Sequence, residues 1–579
     1  MSEQNYIKGL YPDSGSVLSH PSALFVLFFT EMWERFSYYG MRALFVLFLT
    51  TELAGGGWGW SNDVATSVYG WYIGLVYLTP VFGGMIADRF LGYRWSVAIG
   101  ALIMTLGHVS LTAETPTFFY LGLGLLIIGN GLFKPNISSI VGQLYGKQGS
   151  ERKDAAYTIF YMGINAGAFL GILLCGYIGE KVSWSYGFGL AGIFMFFGLL
   201  QFWFSQKILG QIGLTPAKVA AHKAKQETKD EEEPPEHVVR DRLMVIGIFA
   251  FVTIFFWMAF EQAGGSMTIF ANDYTERVLT GSWATLFFWI NTALTIGPLA
   301  IITWVLFKLF SQTFSKYALS NIFLGSSFVI IWGLALWMLN KEYNTKTYEV
   351  QLAGQEVGVL RIVDDLAVGT AVKVRGESDD LRLIAADETA KFEGEQTVSV
   401  IRQKTGELEV QASWFAILNS FFIILFAPLF SRIWQTKYNP SGPVKFGIGL
   451  ILLGIGFAAL AYGGLSVEKG ATTASVSMMW LVVAYLFHTL GELCISPVGL
   501  SYVSKLAPVR LVSMMFGVWF LSNFVAGVLA GQSASYIDYI AKTYSISTFF
   551  LVFAIVPITV GLMMFVITPF MKRKMHGIY

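Results

Sequence analysis

FFTEMWERFSYYGMRALFVLF, residues 28–48, sets four ionisable side chains inside a run that is otherwise apolar and aromatic. Glu31, Glu34, Arg35, Tyr38, Tyr39 and Arg42 recur at spacings of three and four, so a helix projects them largely from one face. The apolar run around them, 22–50, is long enough to cross a bilayer, which takes ~20 apolar residues. A charge at the centre of such a span costs about 2.5–3.5 kcal/mol even on mild scales. These side chains must therefore face a bundle interior or water and pair with one another. Two readings follow: a functional polar track, or an ion-pair cluster that locks helices together.

The rest of the chain agrees with a membrane protein. Of its 579 residues 54% are hydrophobic and only 13% are charged, where soluble domains carry roughly twice that share of charge. Formal net charge is +1, so nothing points to nucleic acid. Cys175 and Cys494 lie in apolar segments and read as small buried hydrophobes, leaving no disulfide framework. The polar stretch Met1 to Ser22 does not resemble a cleavable signal peptide.

Hydropathy gives about fourteen spans: 22–50, 64–88, 95–113, 116–145, 155–178, 185–206, 243–270, 284–309, 318–339, 412–433, 443–464, 476–503, 511–534 and 547–571. Lys and Arg concentrate in alternate loops, among them Arg89, Arg94, Lys147, Arg152, Lys207, Lys316, Arg432, Lys505 and Lys572. That side is cytoplasmic by the positive-inside rule, and both termini then lie inside.

Two polar segments interrupt the spans. Residues 207–242 form a charge-rich linker after six helices, as in a two-bundle carrier. Residues 341–411 contain TYEVQLAG, GVLRIV, AVKVRG, LRLIA, TVSVIRQ and GELEVQ, which alternate polar and apolar between Gly and Asp turns. This segment reads as a small all-β insert, extracytoplasmic by the charge rule and without a catalytic signature. The domains expected are thus 1–206 (first bundle), 207–242 (linker), 243–282 (first helix of the second bundle), 283–340 (two extra helices), 341–411 (insert) and 412–579 (five further helices).

EMWERFSYYG, residues 31–40, resembles the ExxERFxYYG signature of the proton-coupled oligopeptide transporter family of the major facilitator superfamily. Further stretches resemble the family in the same order: GGMIADRFLGYR (83–94), GNGLFKPNIS (129–138), FYMGINAGAF (160–169), FWMAFEQAGGS (256–266), ASWFAILNSFFIILFAPLF (412–430), GELCISPVGLSYVSKLAP (491–508) and MMFGVWFLSNFVAG (514–527). The resemblance covers nearly everything except 207–242 and about 283–405. It implies an all-α polytopic fold of two six-helix bundles, here with two extra helices and the β insert. It also implies proton-driven import of di- and tripeptides by alternating access, with no enzymatic reaction and no cofactor beyond protons as the coupling ion. The setting is a bacterial cell (inner) membrane, and the chain is expected to work as a monomer.

The implied roles suit the residue types. A zwitterionic peptide needs a cation for its carboxylate, here Arg42 and Lys134. Its ammonium needs an anion, here Glu261 and Glu492 from the other half. Asn165, Asn419 and Ser496 offer donors and acceptors for the termini and backbone. Tyr38, Tyr39, Tyr77, Trp257 and Trp519 are expected to wall side-chain pockets. Proton coupling falls to Glu31, Glu34, Arg35 and Glu261, and Arg42–Glu261 and Lys134–Glu492 are expected as breakable cross-bundle pairs.

Two departures stand out: the second-helix His is missing, and the two extra spans follow the seventh helix and do not lie in the connector between the halves, where many bacterial members carry them. Gly70 occupies the place of the proton-sensing second-helix His of animal members, so carboxylates must serve instead. Asn291 imitates the eighth-helix Asn, although the surroundings of Asn419 fit better. His488, one turn before Glu492, is expected to be a packed helix histidine. Two rivals remain: a carrier of the same fold for nitrate or an amino-acid conjugate, and a non-transporting receptor or scaffold that uses the insert.

Overall fold

The computed structural model describes residues 15–145, 150–214, 235–352, 356–376, 378, 381–384, 395–437, 439–508 and 511–578. The charged core of the expected linker, 215–234, and most of the first 22 residues lie outside them.

Helix α1 spans Ser22–Thr50, and its polar residues Glu31, Glu34 and Arg35 are buried along with most of its apolar ones. It is followed by α2 (Asn62–Ile86), α3 (Tyr93–Leu111), α4 (Pro116–Tyr145), α5 (Ser150–Lys181) and α6 (Trp184–Ser205). Next come α7 (Glu236–Phe260), a short α8 (Ser266–Asp273), α9 (Gly281–Thr313) and α10 (Ala318–Asn344). The chain ends with α11 (Ile417–Trp434), α12 (Gly442–Gly463), α13 (Met479–Leu506), α14 (Val512–Ala534), α15 (Ile537–Thr543) and α16 (Ile546–Lys574). Thirteen helices among the described residues are long and apolar enough to cross a membrane. Helix α1 is 29 residues long, carries Glu31, Glu34, Arg35 and Arg42 within it, and makes a fourteenth.

One expected span is broken. The seventh helix stops at Phe260, passes through a tight turn at Glu261–Gly264 and resumes as α8. The break falls at Gly264 and Gly265, with φ −117° and ψ −104° at Gly265.

Helix α1 packs along α5 and α6, and α4 along α2 and α3. In the second bundle α12 packs on α13 and α16, while α7 lies against α14 and α16. The extra helices α9 and α10 pair with each other and lean on the first bundle through α10 against α6. Across the bundles α2 runs along α14 and α5 along α11. The α2–α14 crossing is a contact of glycines: Gly70 and Gly74 face Gly527 and Gly531. Small residues at this spacing let backbones touch, which is how helices gain van der Waals contact where lipid offers no hydrophobic drive.

The insert is a five-stranded antiparallel sheet. Its strands are β1 (Lys346–Gln351), β2 (Val357–Ile362), β3 (Ala371–Arg375), β4 (Arg382–Leu383) and β5 (Gln396–Lys404), in the order β2-β1-β5-β3-β4. It has its own core, Tyr348, Val350, Leu360, Val374, Val398 and Val400 among others, separate from that of the bundles. The expected sixth strand does not join it. Glu407–Glu409 instead pairs antiparallel with Val278–Thr280, between α8 and α9. Cys175 and Cys494 are free and buried.

Candidate substrate cleft

Between the bundles lies a cleft with two lobes of ≈ 110 and ≈ 260 Å³ that share Tyr39, Tyr77, Trp257, Asn419 and Glu492. The smaller lobe adds Arg42, Glu261 and His488, and the larger adds Arg35, Lys134, Asn165, Ser496 and Trp519.

Arg42 of α1 reaches across to the carboxylate of Glu261, at the break after α7, and forms a salt bridge. The Arg42 Nε also donates to the Tyr69 hydroxyl at 2.7 Å, and the Tyr77 hydroxyl points at Glu261 Oε1 from 3.5 Å. Glu261 opens the turn that follows α7, and this turn lies against α1. Both side chains are almost wholly buried, so the pair needs these extra bonds to offset desolvation.

Deeper in α1, Arg35 Nε lies 2.9 Å from Glu31 Oε1 and 2.5 Å from Glu34 Oε2, and all three side chains are at most 3% exposed. Only Arg35 of the three lines the cleft, so the two carboxylates stand behind it. Lys134 is close enough for its charge to act on both. Asn130 donates to Glu34 Oε1 at 3.1 Å. Sequence reasoning passed over Asn130, although an amide one turn before Lys134 in an apolar helix shares its face.

Lys134 sits 5.0 Å above the Tyr77 ring and has no ion-pair partner among the described residues. The expected Lys134–Glu492 pair is therefore not closed. Glu492 instead accepts from Asn419 Nδ2 at 2.9 Å, and the same amide reaches Thr489 Oγ1 at 3.2 Å. The result is a cation from one bundle and an anion from the other on one cavity, each without an opposite charge bonded to it among the described residues.

Tyr38 departs from its expected place. It lines neither lobe but is buried beneath Arg35, whose guanidinium carbon lies 5.5 Å from its ring centroid. The ionisable face of α1 is wider than the cleft, and Tyr38 falls on its packed edge. Asn165 lines the larger lobe while its amide is held by the Tyr161 carbonyl at 3.0 Å. Asn291 is far from this chemistry, donating to Glu342 at 3.0 Å between α9 and α10. His488 packs on Phe457 with ring centroids 4.4 Å apart. At Gly70 a side chain would meet the Gly531 backbone, so no imidazole fits there unless α2 and α14 part.

A membrane protein of two helical bundles around a polar, charged cleft belongs to the class of multi-pass transporters. The POT family model matches residues 94–229 and 394–552. The chain is 32% identical to the uncharacterized transporter YclF of Bacillus subtilis (strain 168), over 100% of this chain and 99% of that one. It is 30% identical to a di-/tripeptide transporter of Lactococcus lactis subsp. cremoris, over 94% and 95%. Among solved structures it resembles the peptide transporter POT in complex with sulfate, with a TM-score of 0.67, 26% identity and 100% of both chains covered. The chain belongs to the POT family of transporters.

Proposed function

We propose that this protein is a proton-coupled symporter that imports di- and tripeptides by alternating access. The carrying observation is Lys134 and Glu492, opposite charges from different bundles on one cavity and not bonded to each other. A zwitterionic peptide of two or three residues spans such a pair whatever its side chains, the carboxylate on Lys134 and the ammonium on Glu492. Asn165, Asn419 and Ser496 serve its backbone and termini, and Tyr39, Tyr77, Trp257 and Trp519 bound its side chains.

Proton coupling rests on Glu31, Glu34, Arg35 and Glu261. Protonating Glu31 or Glu34 weakens the hold on Arg35, and protonating Glu261 weakens the hold on Arg42, so protonation frees these cations toward substrate. Protons are the only coupling agent required. Among the described residues, hydrogen bonds join the bundles at the end carrying the insert, as in Asn62 to Asp538 at 3.1 Å and Gln532 to Ser67 at 2.7 Å. With the insert extracytoplasmic and both termini cytoplasmic, this is a cell-membrane carrier sealed on its outer side, acting as a monomer.

Uptake of labelled dialanine into proteoliposomes, with and without an inward proton gradient, tests the reading. Accumulation driven by the gradient and blocked by excess tripeptide, but not by free alanine, is the expected result. No accumulation in sealed vesicles overturns the peptide assignment in favour of another substrate.

A further inference from the structure

The strand that leaves the insert carries an unusual carboxylate. Glu409 is 8% exposed and meets three cations: Lys181 Nζ at 2.7 Å, Arg277 Nη1 at 3.1 Å and Arg361 Nη1 at 3.1 Å. They come from three places. Lys181 ends α5 of the first bundle, Arg277 lies between α8 and α9, and Arg361 belongs to β2 of the insert. Burial opposes charge on Glu409, but these cations hold its carboxyl well below the usual range.

The neighbouring residue extends the contact. Glu180 accepts from the Ser413 hydroxyl, and from the backbone nitrogens of Ser413 and Ala412 at 3.1 Å each, at the start of the α11 segment. The Glu180 carbonyl accepts from Arg382 of β4 at 2.5 Å. Consecutive residues at the tip of α5 are thus bonded to the insert and to the second bundle.

A static anchor would need less. Glu407–Glu409 already pairs with Val278–Thr280, and Arg277 Nη1 donates to the Val410 carbonyl at 3.1 Å. Those contacts hold the insert to its own bundle. The bonds from Lys181 and Glu180 cross to the other bundle, so a rocking that parts the bundles at this end breaks them. The arrangement suits reversible breaking. When Lys181 leaves, Arg277 and Arg361 still neutralise Glu409, so the Glu409 carboxylate is not stranded.

We propose that the β insert is the latch of the cleft's closed end, engaged through Lys181–Glu409 and Glu180–Ser413 and released each time that end opens. The proposal rests on the alternating-access reading above, and its test separates the two.

In the first arm, a Lys181→Cys/Glu409→Cys variant is bridged with a short bis-methanethiosulfonate reagent, which dithiothreitol reverses. Dialanine uptake should fall to background on bridging and return on reduction, whereas a bridged protein that transports at its unbridged rate overturns the latch. In the second arm, Ala416→Cys reports on the smaller lobe, which Ala416 lines. Adding Glu409→Gln should raise its labelling by an impermeant thiol reagent from the insert side by roughly fivefold or more. Unchanged labelling overturns the latch. This arm needs no transport, so it decides even if the double-cysteine variant is inactive. Failure of the unaltered protein to take up dialanine would count against the peptide reading alone.

Discussion

Gly70 of α2 and Gly531 of α14 meet backbone to backbone: a Cβ on Gly70 would stand 2.5 Å from the Gly531 Cα and 2.8 Å from its nitrogen. Closure of the bundles at this end depends on that approach. Gly531→Leu should hold the helices apart, because overpacking a close contact costs about 1–3 kcal/mol. Uptake should fall roughly tenfold or more, by the relation between free energy and equilibrium. Cysteines placed in the cleft should label faster from the insert side. Normal uptake would show that the crossing does not gate.

Removing one partner of the Arg42–Glu261 pair leaves the other charge buried and alone, which costs about 3–5 kcal/mol. Arg42→Ala should therefore lower thermal stability in detergent more than the double variant Arg42→Ala/Glu261→Ala does. A double-mutant cycle measures this coupling, and strict additivity of the two substitutions would refute it.

Glu31→Gln and Glu34→Gln keep shape while abolishing titration. Each should end uphill, gradient-driven accumulation of dialanine in vesicles. Uphill uptake at the normal level by both variants would remove these carboxylates from the coupling path.

Lys134→Met deletes the cation proposed to hold the peptide carboxylate. A charge-assisted hydrogen bond contributes about 1.5–3 kcal/mol, so half-saturation for dialanine should rise roughly 10- to 100-fold. A carboxyl-amidated dipeptide, which has no charge for Lys134, should lose far less. Equal losses for the two ligands would place the peptide carboxylate elsewhere.

The latch should not sense pH in the working range. The carboxyl of Glu409 is lowered in the folded protein, so its contribution is present above the unfolded glutamate value of about 4.3. It is lost only as pH falls through the lower folded value. Between pH 5.5 and 7.5 Glu409→Gln should therefore change uptake by one constant factor. A factor that varies with pH would link this site to the proton path.

Much of this was legible in the sequence because membrane physics leaves few choices. Ionisable residues at helical spacing in an apolar run had to converge on an interior, and Arg35, Arg42 and Lys134 do line the cleft. Tyr38 misled because spacing gives a face but not how much of that face a neighbouring helix covers. Glu492 was readable as an intramembrane charge, but not that Asn419 rather than Lys134 would hold it. The pairing of Glu407–Glu409 with Val278–Thr280 left no local trace, since alternation shows that a segment is extended and never which remote segment it meets.

The sheet of the insert places Thr347, where the chain enters, opposite Lys404, where it leaves. The entry and exit of the module are therefore as close together as the two ends of a hairpin. Residues added in loops of the sheet away from that entry leave the spacing of its two ends unchanged. Beyond that adjacent entry and exit, Arg361 and Arg382 tie the module to Glu409 and to the Glu180 carbonyl.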